Sequence, residues 1–135
     1  MSRLGTFSVE IENAPGGIVL HLHGVLDAHT SPDFEKALSE LLQGGHRRAV
    51  LDFQGIEYVS SAGFGVMLGA IHGFRLEGAD VKVAAMSEPI RRIFDMLGFQ
   101  RVLEVCPTVE VALGRFESPA AAGADGGKPN GDLSG

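Results

Sequence analysis

Two adjacent serines, Ser60 and Ser61, stand directly before an apolar run that covers residues 62–68. Serine is a preferred helix N-cap, because its hydroxyl oxygen accepts a hydrogen bond from a free backbone amide of the first turn. The preceding run, residues 48–53, has the apolar character of a short buried strand, and a polar connection carrying Gly55 follows it. The pattern predicts a strand, a loop and a helix, with a hydroxyl at the positive end of the helix dipole, where a phosphate is also stabilised.

The helix predicted after the serines is unusually rich in glycine. Gly65, Gly69 and Gly73 recur at a spacing of four residues, so they share one helix face, which we call the glycine track. Each interior glycine costs about 1 kcal/mol relative to alanine, and some interaction must offset that cost. We expect the track to pack closely against a sheet. The alternative is that part of the track receives a partner protein, and both can hold at different ends of the helix.

The residues around Ser61 fit neither a serine hydrolase nor a dinucleotide-binding site well. A serine hydrolase needs a Gly-x-Ser-x-Gly elbow, but Val59 stands where the first glycine belongs. The only histidine after Ser61 is His72, about three turns along the same helix, so it cannot act as the base. A dinucleotide site would place its glycines directly after a strand and an acidic residue after the next strand, and neither condition is met. Nucleotide binding therefore stays a minor alternative.

The remaining metal-ligating side chains are sparse. His21 and His23 fall on one face of a predicted strand, and two histidines at that spacing could share a metal. No cysteine or carboxylate nearby in the sequence completes a ligand set, so the pattern favours a solvated strand face, and we predict no metal and no cofactor. The single cysteine, Cys106, excludes an internal disulfide and is interpreted as a small, partly buried residue at a strand end.

Composition limits the class of protein. The chain has 135 residues and a net charge of −6. Its length and its 44% of hydrophobic residues predict one domain that can bury a hydrophobic core. A mildly acidic domain is a poor nucleic-acid binder. No apolar run reaches the length of a membrane span, and residues 2–6 lead into a strand pattern without the apolar region of a signal peptide. Together with one cysteine, these features predict a cytoplasmic protein.

The chain alternates strand and helix patterns around the two serines. Residues 7–12 and 18–25 alternate as half-buried strands on either side of a turn cluster, which predicts a hairpin. Ser31 is interpreted as the cap of the first helix, with Pro32 in its first turn. Further strands are predicted at 80–85 and 102–105, with helices after 87 and after 108. The predicted fold class is α/β: one domain with a mixed, mostly parallel sheet of about five strands and about four helices, in the order β-β-α-β-α-β-α-β-α.

The last nineteen residues differ in composition from the rest. They consist mostly of Ser, Pro, Ala, Gly and Asp, with no aromatic residue and only Leu133 as a large aliphatic one. Such a segment cannot bury enough apolar surface to offset its ordering entropy. We therefore predict a folded domain over residues 1–116 and a disordered tail over residues 117–135.

Three segments taken together resemble the STAS domain, and specifically the anti-sigma factor antagonists. The central one is Val50-Leu51-Asp52-Phe53 followed by residues 58–66. Residues 24–27 resemble the earlier signature of the family, and residues 93–99 resemble its C-terminal third. The likeness covers residues 5–116, and it is the combination that is specific, since each segment alone would be weak.

The resemblance implies a cytoplasmic switch protein that is not an enzyme. In this family a serine at the start of the second helix is phosphorylated by an anti-sigma factor with an ATP-binding kinase domain. The unphosphorylated form binds that kinase and frees the sigma factor, and a PP2C-type phosphatase resets the switch. By position the phosphoacceptor is Ser61, with Ser60 as the second choice, although many members carry Asp in place of Ser60. The partner-binding residues implied by the resemblance are Asp27, Thr30, Ser60, Ser61, Ala62, Gly63, Phe64 and Gly65.

The same fold also permits a different function. A STAS domain can be a constitutive accessory subunit of an ABC-type lipid transporter, or a component of a sensory scaffold. In that interpretation Ser61 is only an N-cap, and the glycine track and Phe64 form a permanent interface. In either case we expect a monomer or a weak dimer, with no direct contact to nucleic acid.

Overall fold

The computed structural model describes residues 6–117, which contain five strands and four helices in the predicted order. A short 3-10 helix, Phe99–Arg101, follows the third helix. The fold class predicted from the sequence is confirmed. The elements are β1 (Phe7–Ala14), β2 (Gly17–Leu26), α1 (Ser31–Gln43), β3 (Arg48–Val59), α2 (Ser61–Leu76), β4 (Asp80–Ala84), α3 (Glu88–Met96), β5 (Val105–Cys106) and α4 (Val109–Glu117).

The five strands form one mixed sheet in the order β1-β2-β3-β4-β5. Strands β1 and β2 are antiparallel, because the tight turn between Ala14 and Gly17 reverses the chain directly. Strands β2 to β5 are parallel, and each connection between them contains a helix or, before β5, a helix and a 3-10 turn. The carboxyl ends of β2 and β3 consequently lie side by side, with Leu26 opposite Val59.

Both faces of the sheet are covered, and neighbouring residues of a strand contribute to different cores. Leu20 and Leu51 belong to the larger core, which includes buried side chains of α1, α2 and α3. Val19 and Val50, one residue earlier in each strand, belong to a smaller core that α4 covers. This alternation follows from the period of two in a β-strand. Cys106 lies at the end of β5, as predicted, but it is fully rather than partly buried, in the smaller core, and burial raises the pKa of its thiol.

Strand β3 is longer than the sequence suggested. Residues 54–57 were expected to form a polar connection, but they continue the strand, with His23 opposite Gly55 and Gly24 opposite Ile56. The prediction of a loop there is wrong, because pairing with β2 outweighs the low β-propensity of Gly55. Gly55 is required by close approach: a Cβ at this position would lie 2.4 Å from the His23 ring and 2.8 Å from the Leu22 carbonyl oxygen.

Three boundaries also differ. The cap of α1 is Thr30, and Ser31 is the first helical residue, whose hydroxyl donates to the Asp27 carbonyl, so the prediction of Ser31 as the cap is wrong. The last strand begins at Val105, because the residues before it form the 3-10 helix and a turn. Helix α4 extends through Glu117. Glu117, the first residue of the predicted tail 117–135, therefore belongs to α4, and the rest of that tail lies outside the described residues.

The glycine track does not pack on the sheet. Among residues 6–117, no heavy atom lies within 4 Å of a Cβ built at Gly65, Gly69 or Gly73, beyond the helix's own backbone and chain neighbours. The expectation of close packing was therefore wrong for the track. The sequence pattern identified the shared face correctly, but the face of α2 that is turned to the core is the aromatic and aliphatic one, which includes Phe64, Met67 and Ile71.

Candidate functional site

The candidate site lies where the β2–α1 loop meets the first turn of α2. Because β2 and β3 end at the same edge of the sheet, the segments that follow them are neighbours. The backbone amide of Ser60 donates to the carbonyl of Leu26 at 3.0 Å, which joins the start of α2 to the last residue of β2. The predicted site residues of the two segments therefore lie at one edge of the sheet.

Ser60 is the N-cap of α2. Its backbone is extended (φ −80°, ψ 167°), and its hydroxyl accepts from the amide of Gly63 at 2.9 Å. Its carbonyl accepts the first helical bond, from the amide of Phe64, also at 2.9 Å. The side chain thus satisfies one of the amides that a helix N-terminus leaves without an intrahelical partner.

Ser61, the next residue, is in a different environment. It is the first residue of α2, its side chain is exposed, and its hydroxyl makes no hydrogen bond with any described residue. The first turn of α2 contains no acidic residue, so no carboxylate of that turn offsets the positive end of the helix dipole. A free hydroxyl at such a position can accept a phosphate that the helix end then stabilises.

Gly63 fixes how closely α2 approaches the neighbouring loop. A Cβ at this position would lie 2.2 Å from the Leu26 carbonyl oxygen and 3.3 Å from the Cα of Asp27. Only glycine permits this contact without displacement of one of the two backbones. The close-packed glycine of α2 is therefore Gly63, and it places the Asp27 backbone against the first turn of the helix.

Asp27 organises its own loop. One oxygen of its carboxylate accepts from the amides of His29 at 2.9 Å and Thr30 at 3.0 Å, and from the Thr30 hydroxyl at 3.2 Å. The hydrogen bond from the Thr30 backbone is the main cause that lowers the pKa of Asp27, with a smaller contribution from the His29 amide. Thr30 is buried, and its one hydroxyl proton is shared between the Asp27 carboxylate and the nearer Val25 carbonyl oxygen, 2.7 Å away. Asp27 is therefore an anion held in a defined loop.

The residues predicted to bind a partner divide into two groups. Ser61, Ala62 and Gly65 are exposed, and Asp27 and Ser60 are half-buried. The other three, Thr30, Gly63 and Phe64, are buried, so they hold the surface in place from beneath. The Phe64 ring contacts those of Phe94 and Phe99, with centroids 6.3 Å and 5.7 Å away, and this contact joins the first turn of α2 to α3 and the 3-10 helix.

Tyr58 is a surface residue that the sequence reasoning did not assign to the site. It lies near the end of β3, two residues before Ser60, and 55% of its surface is exposed. Exposed tyrosines are frequent at protein interfaces, because they combine apolar area with a hydroxyl. The register of β3 against β2 shifts between Ile56 and Tyr58, so the alternation of a regular strand gave no signal that Tyr58 is exposed.

A second polar cluster lies on the α4 side of the sheet. His21 donates from Nδ1 to Asp52 at 2.6 Å and from Nε2 to Glu12 at 2.7 Å. Two carboxylate acceptors favour the protonated ring, in which both nitrogens are donors, and the bond to Glu12, followed by that to Asp52, raises the pKa of His21. Asp52 is only 7% exposed, and it also accepts from the Gln54 amide.

This cluster corrects one statement made from the sequence. Two carboxylates do lie beside His21, although none is near it in the sequence, because strand pairing brings them together. They bind opposite nitrogens of the ring, so they cannot share one metal with it. No group of three or more suitable ligands occurs among the residues the structure describes. The strand register, once known, would have revealed the contact between His21 and Asp52, which are directly opposite.

A cavity of about 600 Å³ lies above this cluster. It is lined by Glu12, His21 and Asp52 and by the start of α4, including Val109 and Glu110. None of its lining residues belongs to α2 or to the β2–α1 loop, so it is separate from the surface around Ser61. Within residues 6–117, no helix has the length and apolar character needed to cross a membrane.

Comparison with known proteins agrees with the fold. An anti-sigma F factor antagonist of Paenibacillus polymyxa is 27% identical over 110 residues, which cover 81% of this chain and 94% of that relative. The crystal structure of an anti-sigma factor antagonist from Mycobacterium paratuberculosis gives a TM-score of 0.76 at 21% identity, over 87% of this chain and 100% of that one. The structure of the Bacillus cell fate determinant SpoIIAA in its phosphorylated form gives a TM-score of 0.61 at 22% identity. The match covers 80% of this chain and 98% of SpoIIAA. The STAS domain family model matches residues 8–112, and the chain therefore belongs to the STAS domain family.

Proposed function

We propose that this protein is an anti-sigma factor antagonist whose binding to an anti-sigma factor is switched off by phosphorylation of Ser61. The partner is an anti-sigma factor with an ATP-binding kinase domain, which both binds the unphosphorylated protein and phosphorylates it. A PP2C-type phosphatase removes the phosphate. The protein acts in the cytoplasm by binding rather than by catalysis.

The observation that carries this proposal is the contrast between the two serines. The hydroxyl of Ser60 is occupied as the cap of α2, whereas that of Ser61 is exposed and without a hydrogen bond to any described residue. A kinase must reach the hydroxyl and position it for transfer, and Ser61 meets that requirement without disruption of the helix start. Phosphorylation of Ser60 would first have to break the bond to the Gly63 amide.

A phosphate on Ser61 would change the surface without unfolding it. It adds a charge of about −1.5 to −2 at neutral pH, and the helix N-terminus stabilises that charge locally. A partner surface fitted to a neutral hydroxyl would instead have to desolvate the phosphate and accept its charge beside the Asp27 anion. The expected result is a folded protein that no longer binds its kinase.

The relatives support the same proposal. The curated relatives from Paenibacillus polymyxa and Staphylococcus aureus are named as antagonists of anti-sigma factors. SpoIIAA, which shares the fold, has been solved in both an unphosphorylated and a phosphorylated form. These names belong to those proteins, and they make an anti-sigma factor the first partner to test here.

The test is incubation of the purified protein with its cognate anti-sigma factor and ATP, followed by mass spectrometry and a pull-down. We expect phosphate on Ser61 and loss of binding when it is attached. Ser61→Ala should bind and resist phosphorylation. Ser61→Asp should bind more weakly, because its carboxylate supplies part of the phosphate charge.

Ser60→Asp is the matched control, because aspartate keeps the cap while it removes the second hydroxyl. This variant should still accept phosphate on Ser61. Phosphate on Ser60 in the unmodified protein would contradict the assignment. Absence of phosphate, together with equal binding of Ser61→Asp, would instead support the constitutive accessory subunit, in which Ser61 has no switching role.

A further inference from the structure

The cavity above the His21 cluster has the dimensions of a small-molecule pocket. Its volume is about 600 Å³, and pockets that hold small ligands typically measure about 300–1,000 Å³. Side chains on one face of β1, β2 and β3 form its floor, and the start of α4 forms a wall. The apolar side chains of the lining include Ala14, Val19, Val109 and Leu113. A ligand with an apolar portion therefore fits this cavity.

The charged groups that line the cavity are acidic apart from one histidine. They are Glu12 on β1, Asp52 on β3 and Glu110 at the start of α4, together with His21 on β2. No lysine or arginine occurs among the described residues of the lining, so the cavity is negatively charged even when His21 is protonated. A cleft lined by charges of one sign concentrates ligands of the opposite sign.

Several hydrogen-bond acceptors in the cavity are not used within the fold. Glu110 is exposed, and its carboxylate makes no hydrogen bond or ion pair with any described residue. Glu12 binds His21 through Oε1, and its Oε2 has no partner among residues 6–117. The side chain of Gln54 likewise makes no hydrogen bond in the described part of the chain, so its oxygen is a third free acceptor. These three groups can accept hydrogen bonds from a cationic donor.

Two other kinds of ligand fit the lining less well. The positive end of the α4 dipole would favour an anion, but Glu110 in the first turn of that helix already offsets it. An anion would also meet the carboxylates of Glu12 and Asp52. A metal ion needs several ligands around one point, and no group of three suitable side chains occurs among the described residues.

We propose that this cavity binds a small organic cation, with an ammonium or guanidinium group on an aliphatic chain. The cationic group lies among the free acceptors of Glu12, Gln54 and Glu110, and the aliphatic chain packs on the apolar lining. A free amine and a lysine or arginine side chain of a partner protein offer this same chemistry. No lining residue belongs to the surface around Ser61, so the proposal does not depend on the proposed function.

Protonation of His21 should oppose binding, because it places a positive charge beside the ligand. Glu12 from β1 and Asp52 from β3 bind the ring directly, and Glu110 from α4 lines the same cavity. The bond to Glu12, followed by that to Asp52, raises the pKa of His21 above its usual 6.5. An alkylamine stays protonated to about pH 10. Affinity for the cation should therefore rise as the pH increases through the raised pKa of His21.

Heteronuclear NMR of the full chain tests the proposal, because it detects weak binding residue by residue. We expect n-butylamine to shift the amide signals of residues around the cavity in a saturable manner, whereas butyrate should not. Glu110→Gln should raise the dissociation constant about three- to fivefold, the contribution of a partly exposed ion pair. The matched control is Glu40→Gln on α1, an exposed and unpaired glutamate among the described residues. It removes the same charge outside the cavity and should bind like the unmodified chain.

A pH series tests the role of His21, and a second amine identifies the source of the cation. Between about pH 6 and 8.5, the affinity for butylamine should rise at least about threefold, and His21→Gln should remove this dependence. Tighter binding of Nα-acetyl-lysine methylamide than of butylamine would indicate a side chain of a partner protein, and weaker binding a free amine. Absence of saturable shifts with both amines would overturn the proposal, and so would equal shifts with butyrate. An affinity independent of pH in the unmodified chain would overturn the role of His21.

Discussion

At the scale of single residues, the two serines show how one step along the chain changes the role of a side chain. Ser60 has the extended backbone of an N-cap, which directs its hydroxyl to the Gly63 amide. Ser61 is already helical, and its exposed hydroxyl makes no hydrogen bond with any described residue. Serine at either position satisfies the sequence pattern, so only the backbone geometry distinguishes the structural hydroxyl from the free one.

This distinction predicts different stabilities for two similar variants. Ser60→Ala removes the acceptor of the Gly63 amide and should lower the free energy of unfolding by about 0.5–2 kcal/mol. Ser61→Ala should change it very little, because it removes no hydrogen bond and alanine is a good helix former. Urea denaturation of both variants measures the difference. Equal losses in the two variants would contradict the assignment of the cap.

His21 gives a prediction for the dependence of stability on pH. Its pKa is raised in the folded protein by Glu12 and Asp52, so its protonated form is the one that the fold stabilises. That stabilisation is complete below the pKa of the unfolded chain, about 6.5, and is lost as the pH rises through the higher folded value. The unmodified protein should therefore lose stability relative to His21→Gln as the pH is raised above about 6.5.

Denaturation with urea at several pH values above about 6, where the carboxylates stay ionised, measures this effect. The matched control is His23→Gln, which alters the neighbouring histidine of the same strand. His23 lies 3.6 Å from Glu10 and has no second carboxylate partner among the described ion pairs. That variant should keep the pH dependence of the unmodified protein. If His21→Gln showed the same pH dependence of stability as the unmodified protein, a group other than His21 would be its cause.

At the scale of secondary-structure elements, α2 contains glycines with two different roles. Gly63 allows the helix to contact the Leu26 carbonyl, whereas Gly69 and the rest of the track have open space beside them. The cost in helix propensity is similar at both positions, but only at Gly63 does a contact within the chain account for it. The sequence indicated the spacing of the track correctly, and it could not distinguish a glycine against a backbone from one against solvent.

Alanine substitutions should therefore have opposite effects. Gly63→Ala places a Cβ 2.2 Å from a carbonyl oxygen, and it should destabilise the fold by about 1–3 kcal/mol or more. Gly69→Ala meets no atom and should stabilise the helix by up to about 1 kcal/mol. Chemical denaturation of the two variants separates these results. A loss of stability in Gly69→Ala would mean that the track is packed after all.

Strand β3 shows where sequence patterns stop being informative about an element. Its first half is apolar and was predicted correctly, since burial on both faces leaves a continuous apolar run. Its second half contains Gln54, Gly55 and Glu57, which are typical of a loop. These residues stay extended because they pair with β2, in a register that is irregular near His23. That pairing is a tertiary interaction, and local β-propensity carries no information about it.

At the scale of the whole molecule, the order of elements and the mixed sheet were predictable, because hairpin turns and helical connections determine which strands are parallel. The site was predictable only in part. The likeness to a family located the segments around Asp27 and Ser61, but which side chains are exposed depends on how the two segments pack. The His21 cluster depends on strand register, which a single sequence does not reveal.

The two faces of the sheet differ in how they are covered, and this leads to a prediction about the end of the chain. The larger core includes residues of three helices, whereas α4 is the one helix of the described chain that covers the smaller core, through Ala112, Leu113 and Phe116. Phe116 also lies under the Lys82 ammonium, 5.0 Å from the ring centroid. Residues 118–135 follow this helix in the sequence, and with Leu133 as their one large aliphatic residue and no aromatic residue they carry little apolar surface to bury.

Truncation after Glu117 should therefore change the melting temperature by less than about 3 °C, equivalent to under about 1 kcal/mol in a domain of this size. Truncation after Thr108 removes α4 and exposes the smaller core, and it should lower the melting temperature by more than about 10 °C or abolish cooperative unfolding. Leu113→Ala is a milder test of the same cover, with an expected loss of about 2 kcal/mol because the leucine is only half-buried. Differential scanning calorimetry measures all three variants. A large drop in melting temperature on truncation after Glu117 would contradict the prediction, since it would mean that the tail stabilises the domain.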